Sequence, residues 1–274
     1  MTGVRAVKGH GTGNDFVVLP DLDGVLSLSA SLVRALCDRH AGVGADGVLR
    51  VVRTELATEP DVREQAATAE FFMDYRNADG SIAEMCGNGV RVFARYLQRE
   101  GLIGSTAAVA TRGGAKPVTL TSDQVSVLMG PAVPRAERPA VDGRPANPAF
   151  DLPNPHVVVE LADEAELDAL DLTRPPVVEP ALPEGQNVEF FVRTGPSAVR
   201  MRVHERGVGE TLSCGTGICA VAAAAGAGSG PLTVTVPGGI CRVDWTADGE
   251  LTLTGPAELV ADLELADDWV AAHR

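Results

Sequence analysis

Short apolar runs separated by turn residues dominate this chain. Val4 to Lys8, Val17 to Leu19, Val48 to Val52 and Phe71 to Tyr75 read as strands, and Ala107 to Thr111, Val118 to Thr121 and Val125 to Met129 continue the series. A second series comprises Val157 to Val159, Asn187 to Val192, Val199 to Val203, Leu232 to Val236, Cys241 to Trp245 and Leu251 to Thr254, with a last segment near Ala261 to Val270. Helical spacing is confined to three places. Leu28 to Arg39 reads as a helix capped near Ser29 or Ser31. Val90, Val92, Phe93 and Leu97 recur at roughly helical spacing, and Cys219 to Ala225 is alanine-rich, a strong helix former. Glu55 to Glu70 has no strong period and reads as a solvated surface excursion. Many short strands with two prominent helices do not match the strand–helix alternation of a parallel sheet.

The two prominent helices open alike. Met85-Cys86-Gly87-Asn88-Gly89 leads into one and Ser213-Cys214-Gly215-Thr216-Gly217 into the other, near half a chain length apart. Upstream, Asn77 and Gly80 in the first half rhyme with Arg206 and Gly209 in the second. This pattern predicts an internal duplication. A shift toward Pro, Ala and Arg from Gly130 to Pro155 sets the crossing at its start; the expectation is a domain over 1–128 and a second over 129–261, with 262–274 completing the first. Free N–H groups and the macrodipole at a helix start favour negative charge. A cysteine placed there is expected to have a depressed pKa and to form a usable thiolate. The glycines let a ligand approach the backbone, whose N–H groups can hold a carboxylate or a developing oxyanion. A single Cys-Gly-x-Gly is more simply a tight turn with a buried cap; two in matching halves point to function.

Composition narrows the partners. The chain has 274 residues, 45% apolar, with a formal net charge of −14 at pH 7. That charge argues against nucleic acid and anionic membrane, and leaves a small zwitterionic substrate open. Five cysteines without metal-site spacing point to no metal, and the start of the chain shows no apolar signal region. A cytoplasmic protein with reduced thiols is the expectation. The glycine-rich turn before Asn14 and Asp15 lacks a phosphate-loop pattern, so nucleotide binding has little support, whereas the two polar residues suit a site. Cys37 reads as a core cysteine. His156, just before an apolar strand, reads more simply as a surface residue than as a catalytic one.

His10-Gly-Thr-Gly-Asn-Asp-Phe16, Arg76-Asn-Ala-Asp-Gly-Ser81, Met85-Cys-Gly-Asn-Gly89, Asn154-Pro-His156, Glu205-Arg-Gly-Val-Gly-Glu-Thr211, Cys214-Gly-Thr-Gly217 and Pro237-Gly-Gly239 together resemble the diaminopimelate epimerase family over essentially the whole chain. The resemblance implies an α/β (α+β) fold of two pseudo-symmetric domains, each a curved, mostly antiparallel sheet around a central helix. It implies interconversion of LL- and meso-diaminopimelate without a cofactor, on the route to lysine and peptidoglycan precursors. It makes Cys86 and Cys214 the acid–base pair. Gly87, Asn88, Gly215 and Thr216 would hold the reacting carboxylate. Asn14, Asn77, Asn154, Asn187, Glu205 and Arg206 would read the other substrate groups, and His156 and Glu205 would tune the thiols. A homodimer is a possible assembly. Some members of the family carry a glutamine where this chain has Gly47, so that contact is absent or supplied by backbone. Proline racemases and hydroxyproline epimerases are an alternative, but they typically show Cys-Gly-His-Gly where Asn88 stands here. A non-catalytic thiol module would be expected to lack one cysteine, and both are present.

Overall fold

A computed structural model describes residues 3–152, 154–226 and 230–274. The chain divides into two compact units, Met1–Val127 with Pro256–Arg274, and Leu128–Gly255.

In the first unit the strands are β1 (Val4–Gly11), β2 (Asn14–Pro20), β3 (Gly47–Arg53), β4 (Phe71–Asn77), β5 (Thr106–Ala110), β6 (Lys116–Leu120) and β7 (Val125–Gly130), β7 carrying the chain across the boundary. β1 and β2 form an antiparallel hairpin, β2 and β3 run parallel, β3 and β4 antiparallel, β4 and β5 parallel, and β5, β6 and β7 antiparallel. Helix α1 (Ala30–Cys37) is capped by Ser29, whose hydroxyl accepts the Leu32 N–H, and it buries Leu32, Val33, Leu36 and Cys37. Residues 55–70 lie mostly at the surface, as expected, but they are anchored to the core. They fold into two 3₁₀ turns and the short helix α2 (Pro60–Arg63), with Ala57, Val62 and Ala69 packed on Val52 and Phe72. The apolar contacts lie at irregular spacing, so no period betrays them. Helix α3 (Gly87–Arg99) contacts β1, β2, β3, β4 and β6 and buries every residue from Gly87 to Ala94.

The second unit begins with β8 (Val133–Pro134), β9 (Ala140–Val141), β10 (Arg144–Pro145) and β11 (Phe150–Asp151). β12 (Pro155–Glu160), helix α4 (Glu164–Asp168), β13 (Val178–Glu179), β14 (Asn187–Gly195), β15 (Ala198–Glu205), β16 (Gly209–Thr211), helix α5 (Gly215–Gly226), β17 (Leu232–Val236), β18 (Gly239–Trp245) and β19 (Leu251–Gly255) follow. Here β11 and β12 are antiparallel, β12 and β14 parallel, β14 and β15 antiparallel, β15 and β17 parallel, and β17, β18 and β19 antiparallel. That is the first unit's sequence of pairings repeated step for step. α5 contacts β12, β14, β15, β17, β18 and β19, as α3 contacts its own strands. Each half is thus a mostly antiparallel sheet around one central helix, and the duplication is structural as well as sequential.

The chain then returns to the first unit as β20 (Glu258–Leu265) and helix α6 (Asp267–His273). The unit boundary falls at Gly255/Pro256 rather than after residue 261, because β20 is one strand paired with β1 from Val4↔Leu265 to His10↔Glu258. The last segment is therefore strand and helix. Val270 enters the core of α1, and the Ser29 hydroxyl donates to the His273 carbonyl at 3.1 Å.

Candidate active site

Cys86 is the N-cap of α3, in extended backbone, and its sulfur accepts the Gly89 N–H at 3.4 Å. The β1–β2 hairpin brings Asn14 to it, 72 positions away in sequence. The Asn14 Oδ1 lies 3.6 Å from the sulfur, placed to accept the thiol proton, and also accepts from Asn88 Nδ2 at 3.2 Å. The Asn14 amide is turned this way by Asp46, whose Oδ2 accepts its Nδ2–H at 2.8 Å. Asp46 in turn is tied to Asp15 and Arg39. Burial pushes the Asp15 carboxyl up, but hydrogen bonds from Arg39 and Lys8 outweigh it and hold it well below the usual carboxylate range. Asn77 ends β4, where its side chain donates to the Ser81 hydroxyl at 3.0 Å. Asn14, Cys86, Gly87 and Asn88 thus converge, with Asn77 at the strand end that delivers the chain to α3. A Gly47 Cβ would meet the Arg76 carbonyl at 2.6 Å, so this position is closed to a side chain unless the backbone shifts.

Cys214 precedes α5 and is 6% exposed. Burial pushes its thiol well above the usual range, and the Glu205 and Glu189 carboxylates push it further. The Thr216 hydroxyl, 3.4 Å from the sulfur, and the Gly217 N–H work in the opposite direction and are outweighed. The expected depression of the thiol pKa at a helix start does not hold at Cys214. Desolvation and two negative charges exceed what the helix terminus supplies. Glu205 is itself pushed up, first by burial, while hydrogen bonds from Thr211 and Cys214 moderate the shift.

His156 is not a surface residue. It lies in β12, fully buried, with Nδ1 2.6 Å from Glu189 Oε1 and Nε2 3.0 Å from Asn154 Oδ1. Asn187 is also buried; its Oδ1 accepts the Arg206 backbone N–H and its Nδ2 donates to the Pro155 carbonyl. The Arg206 side chain is exposed, and its Nη1 donates to the Glu184 carbonyl. The pairings Val48↔Arg76 and Val188↔His204 place Glu205, not Arg206, at the second-unit position of Asn77. Both stand nine residues before their cysteine, so the sequence rhyme with Arg206 was one residue off.

Glu189 was missed altogether, although a charged residue inside the apolar run Val188–Val192 is the signal that marks it. Among the described residues no group of three or more His, Cys, Asp or Glu is placed to hold a metal ion, and no helix is long and apolar enough to cross a membrane.

Comparison with known proteins settles the family. The sequence profile described as diaminopimelate epimerase matches residues 6–134 and 149–260. The chain belongs to the diaminopimelate epimerase family. It is 50% identical over 287 residues to the diaminopimelate epimerase of Streptomyces coelicolor, covering 98% of each chain. To that of Thermobifida fusca it is 52% identical over 270 residues, covering 94% of this chain and 97% of the other. The family makes this chain an isomerase, an amino-acid epimerase. Solved structures share the fold at low identity. A PhzF-family phenazine biosynthesis protein of Bacillus anthracis superposes with a TM-score of 0.69 at 14% identity, over 97% of this chain and 100% of that one. A hydroxyproline epimerase of Agrobacterium vitis does so with a TM-score of 0.65 at 15% identity, over 97% and 93%.

Proposed function

We propose that this protein epimerises LL-2,6-diaminopimelate to meso-diaminopimelate by a cofactor-independent two-base mechanism, with Cys86 and Cys214 as the paired bases. The observation that carries this reading is the duplication itself. The same sequence of strand pairings twice delivers a cysteine to the first turn of a buried helix, in a family whose relatives bear that name.

Inverting an α-carbon needs a base on one face and an acid on the other. The thiolate of one cysteine removes the α-proton, and the C–H electron pair moves into the carboxylate as an enediolate. The thiol of the other cysteine then gives its proton to the opposite face. The carbon is inverted and the two sulfurs have exchanged protonation states. The raised Cys214 thiol suits the acid of the cycle in which Cys86 is the base. Backbone N–H groups at Gly87, Asn88, Gly215 and Thr216 would stabilise the carboxylate charge, a contribution of about 10²–10³ in rate per oxyanion donor. Asn14, Asn77, Asn154 and Asn187 would read the ammonium and carboxylate groups of the substrate. Arg206 suits the distal carboxylate and Glu205 an ammonium. Lysine and peptidoglycan precursor synthesis in the cytoplasm is the setting this activity fits.

Conversion in deuterium oxide tests it. Protein dialysed free of pyridoxal phosphate and metals should turn LL-diaminopimelate into α-deuterated meso product, with proline as a control left unchanged. Activity lost on dialysis and restored only by pyridoxal phosphate would overturn the mechanism.

A further inference from the structure

The strand registers allow the surroundings of the two cysteines to be compared position by position. In the first unit β2 runs parallel to β3 with Phe16 opposite Gly47, and in the second β12 runs parallel to β14 with His156 opposite Asn187. Phe16 and His156 therefore hold the same place, and two residues further on so do Leu49 and Glu189. Leu49 sits under the cysteine turn of α3, its Cδ2 3.3 Å from where a Gly89 Cβ would lie. Glu189 sits under the turn of α5, its Oε1 2.7 Å from where a Gly217 Cβ would lie, with the Cys214 Cβ 3.3 Å from that same point. One half fills this layer with an apolar pair, the other with two ionisable side chains, all four fully buried.

We propose that Glu189 is a positioning residue for the reaction, holding the His156 imidazole beside the Cys214 helix by accepting its Nδ1–H. The inference rests on the two-base reading of Cys214. Burying a carboxylate is costly even when it is paired, and an apolar pair of similar size is often as stable or more so. The first unit shows that this fold accepts such an apolar pair at the same positions. Packing therefore gives no reason for Glu189. Its geometry does: one oxygen takes the imidazole N–H at 2.6 Å, while Oε2 has no hydrogen-bond partner among the described residues. With Nδ1 so held, the ring plane is fixed and Nε2 is directed at Asn154, 3.0 Å away. The ionisable groups sharing this layer are Glu205 and Cys214, the latter feeling the Glu189 charge directly. Gly217 is the position that leaves the carboxylate its room.

Two variants and one spectrum test this. Glu189→Leu copies Leu49 and removes the acceptor; Glu189→Gln keeps an acceptor of the same shape. Losing a hydrogen bond to a charged group corresponds to about tenfold to hundredfold. The leucine variant should lose that much in kcat for diaminopimelate, with KM within about threefold because Glu189 is buried beneath the site. The glutamine variant should recover most of the loss. Proton NMR should show a low-field Nδ1–H resonance, identified by its disappearance in His156→Phe, kept in Glu189→Gln and absent in Glu189→Leu. If the leucine variant does not fold, His156→Phe with Glu189→Leu recreates the first unit's pair and should fold yet turn over slowly. Wild-type kcat in Glu189→Leu or in the double variant would overturn the proposal. So would a glutamine variant as slow as leucine, or a wild-type spectrum without the resonance. A wild type that fails to epimerise diaminopimelate would count against the proposed activity instead, and the resonance pattern would still decide the Glu189–His156 contact.

Discussion

Two identical side chains, one at each helix start, have been given different chemistry by their neighbours. Cys86 is met by the amides of Asn14 and Gly89, Cys214 by the carboxylate of Glu205 and the hydroxyl of Thr216. A serine at either place would keep a hydroxyl proton but supply a far weaker acid and almost no alkoxide base. Cys86→Ser and Cys214→Ser should each lower kcat for epimerisation on the order of 10³, the scale of general acid–base assistance. Cys37→Ser should leave turnover intact, since that thiol lies in the α1 core with burial pushing it up to about 12. Steady-state assays on purified variants check this; full activity in Cys86→Ser would refute the paired-base scheme. The cysteines themselves were legible because Cys-Gly-x-Gly is a local pattern that needs no tertiary context. The residues around them were less so. His156 looked like a surface residue because nothing in its own neighbourhood announces a buried partner 33 positions away. Asp46 offers no local sign that it orients Asn14, since a strand hairpin and a parallel pairing create that contact.

Among the elements, β4 carries a buried carboxylate held by three guanidinium groups. Asp74 is 2% exposed and takes hydrogen bonds from Arg76 at 2.9 Å and Arg112 at 2.6 Å, with Arg50 at 3.4 Å. Burial alone would raise its carboxyl, but the guanidinium bonds outweigh it and lower the pKa below that of the unfolded chain. A lowered folded-state value contributes stability in full above the unfolded value of about 3.9 and loses it as pH falls further. Asp74→Asn should therefore cost about 3–5 kcal/mol at pH 7, seen as a Tm drop of roughly 10 °C. The gap to wild type should narrow as pH is lowered toward 3. Thermal melts across pH measure both, and a gap that widened on acidification would contradict the assignment. Strand positions were largely readable from alternation, and α1 from its capping serine. Residues 55–70 were not, because their apolar side chains reach the core through turns and short helices that have no single period.

For the molecule as a whole, the two-base reading requires both units to present their sulfurs to opposite faces of one α-carbon. Thiols so presented would be open to oxidation to a disulfide once substrate leaves, provided their Cα atoms come within about 7 Å. Mild oxidant should inactivate the enzyme, dithiothreitol should restore it, and bound diaminopimelate should protect by separating the sulfurs. Peptide mapping of the inactive form should find Cys86 joined to Cys214. Dithiothreitol-recoverable loss with both cysteines unlinked would mean that they do not converge. Irreversible loss would instead mark oxidation of a lone thiolate to the sulfinic acid. The duplication was visible at this scale from one repeated motif. The return of the chain end to the first unit was visible only in part, since the expected boundary cut through the single strand β20.

That return has a consequence for synthesis on the ribosome. Leu128–Gly255 is continuous, and all its strands have been made once residue 255 emerges. The earlier unit cannot finish then, because β1 pairs with β20 and the core of α1 awaits Val270. The half begun first is the half completed last. Until β20 is made, β1 presents an open edge to other nascent chains, the kind of edge that templates aggregation. A truncation that removed β20 would make that interval permanent.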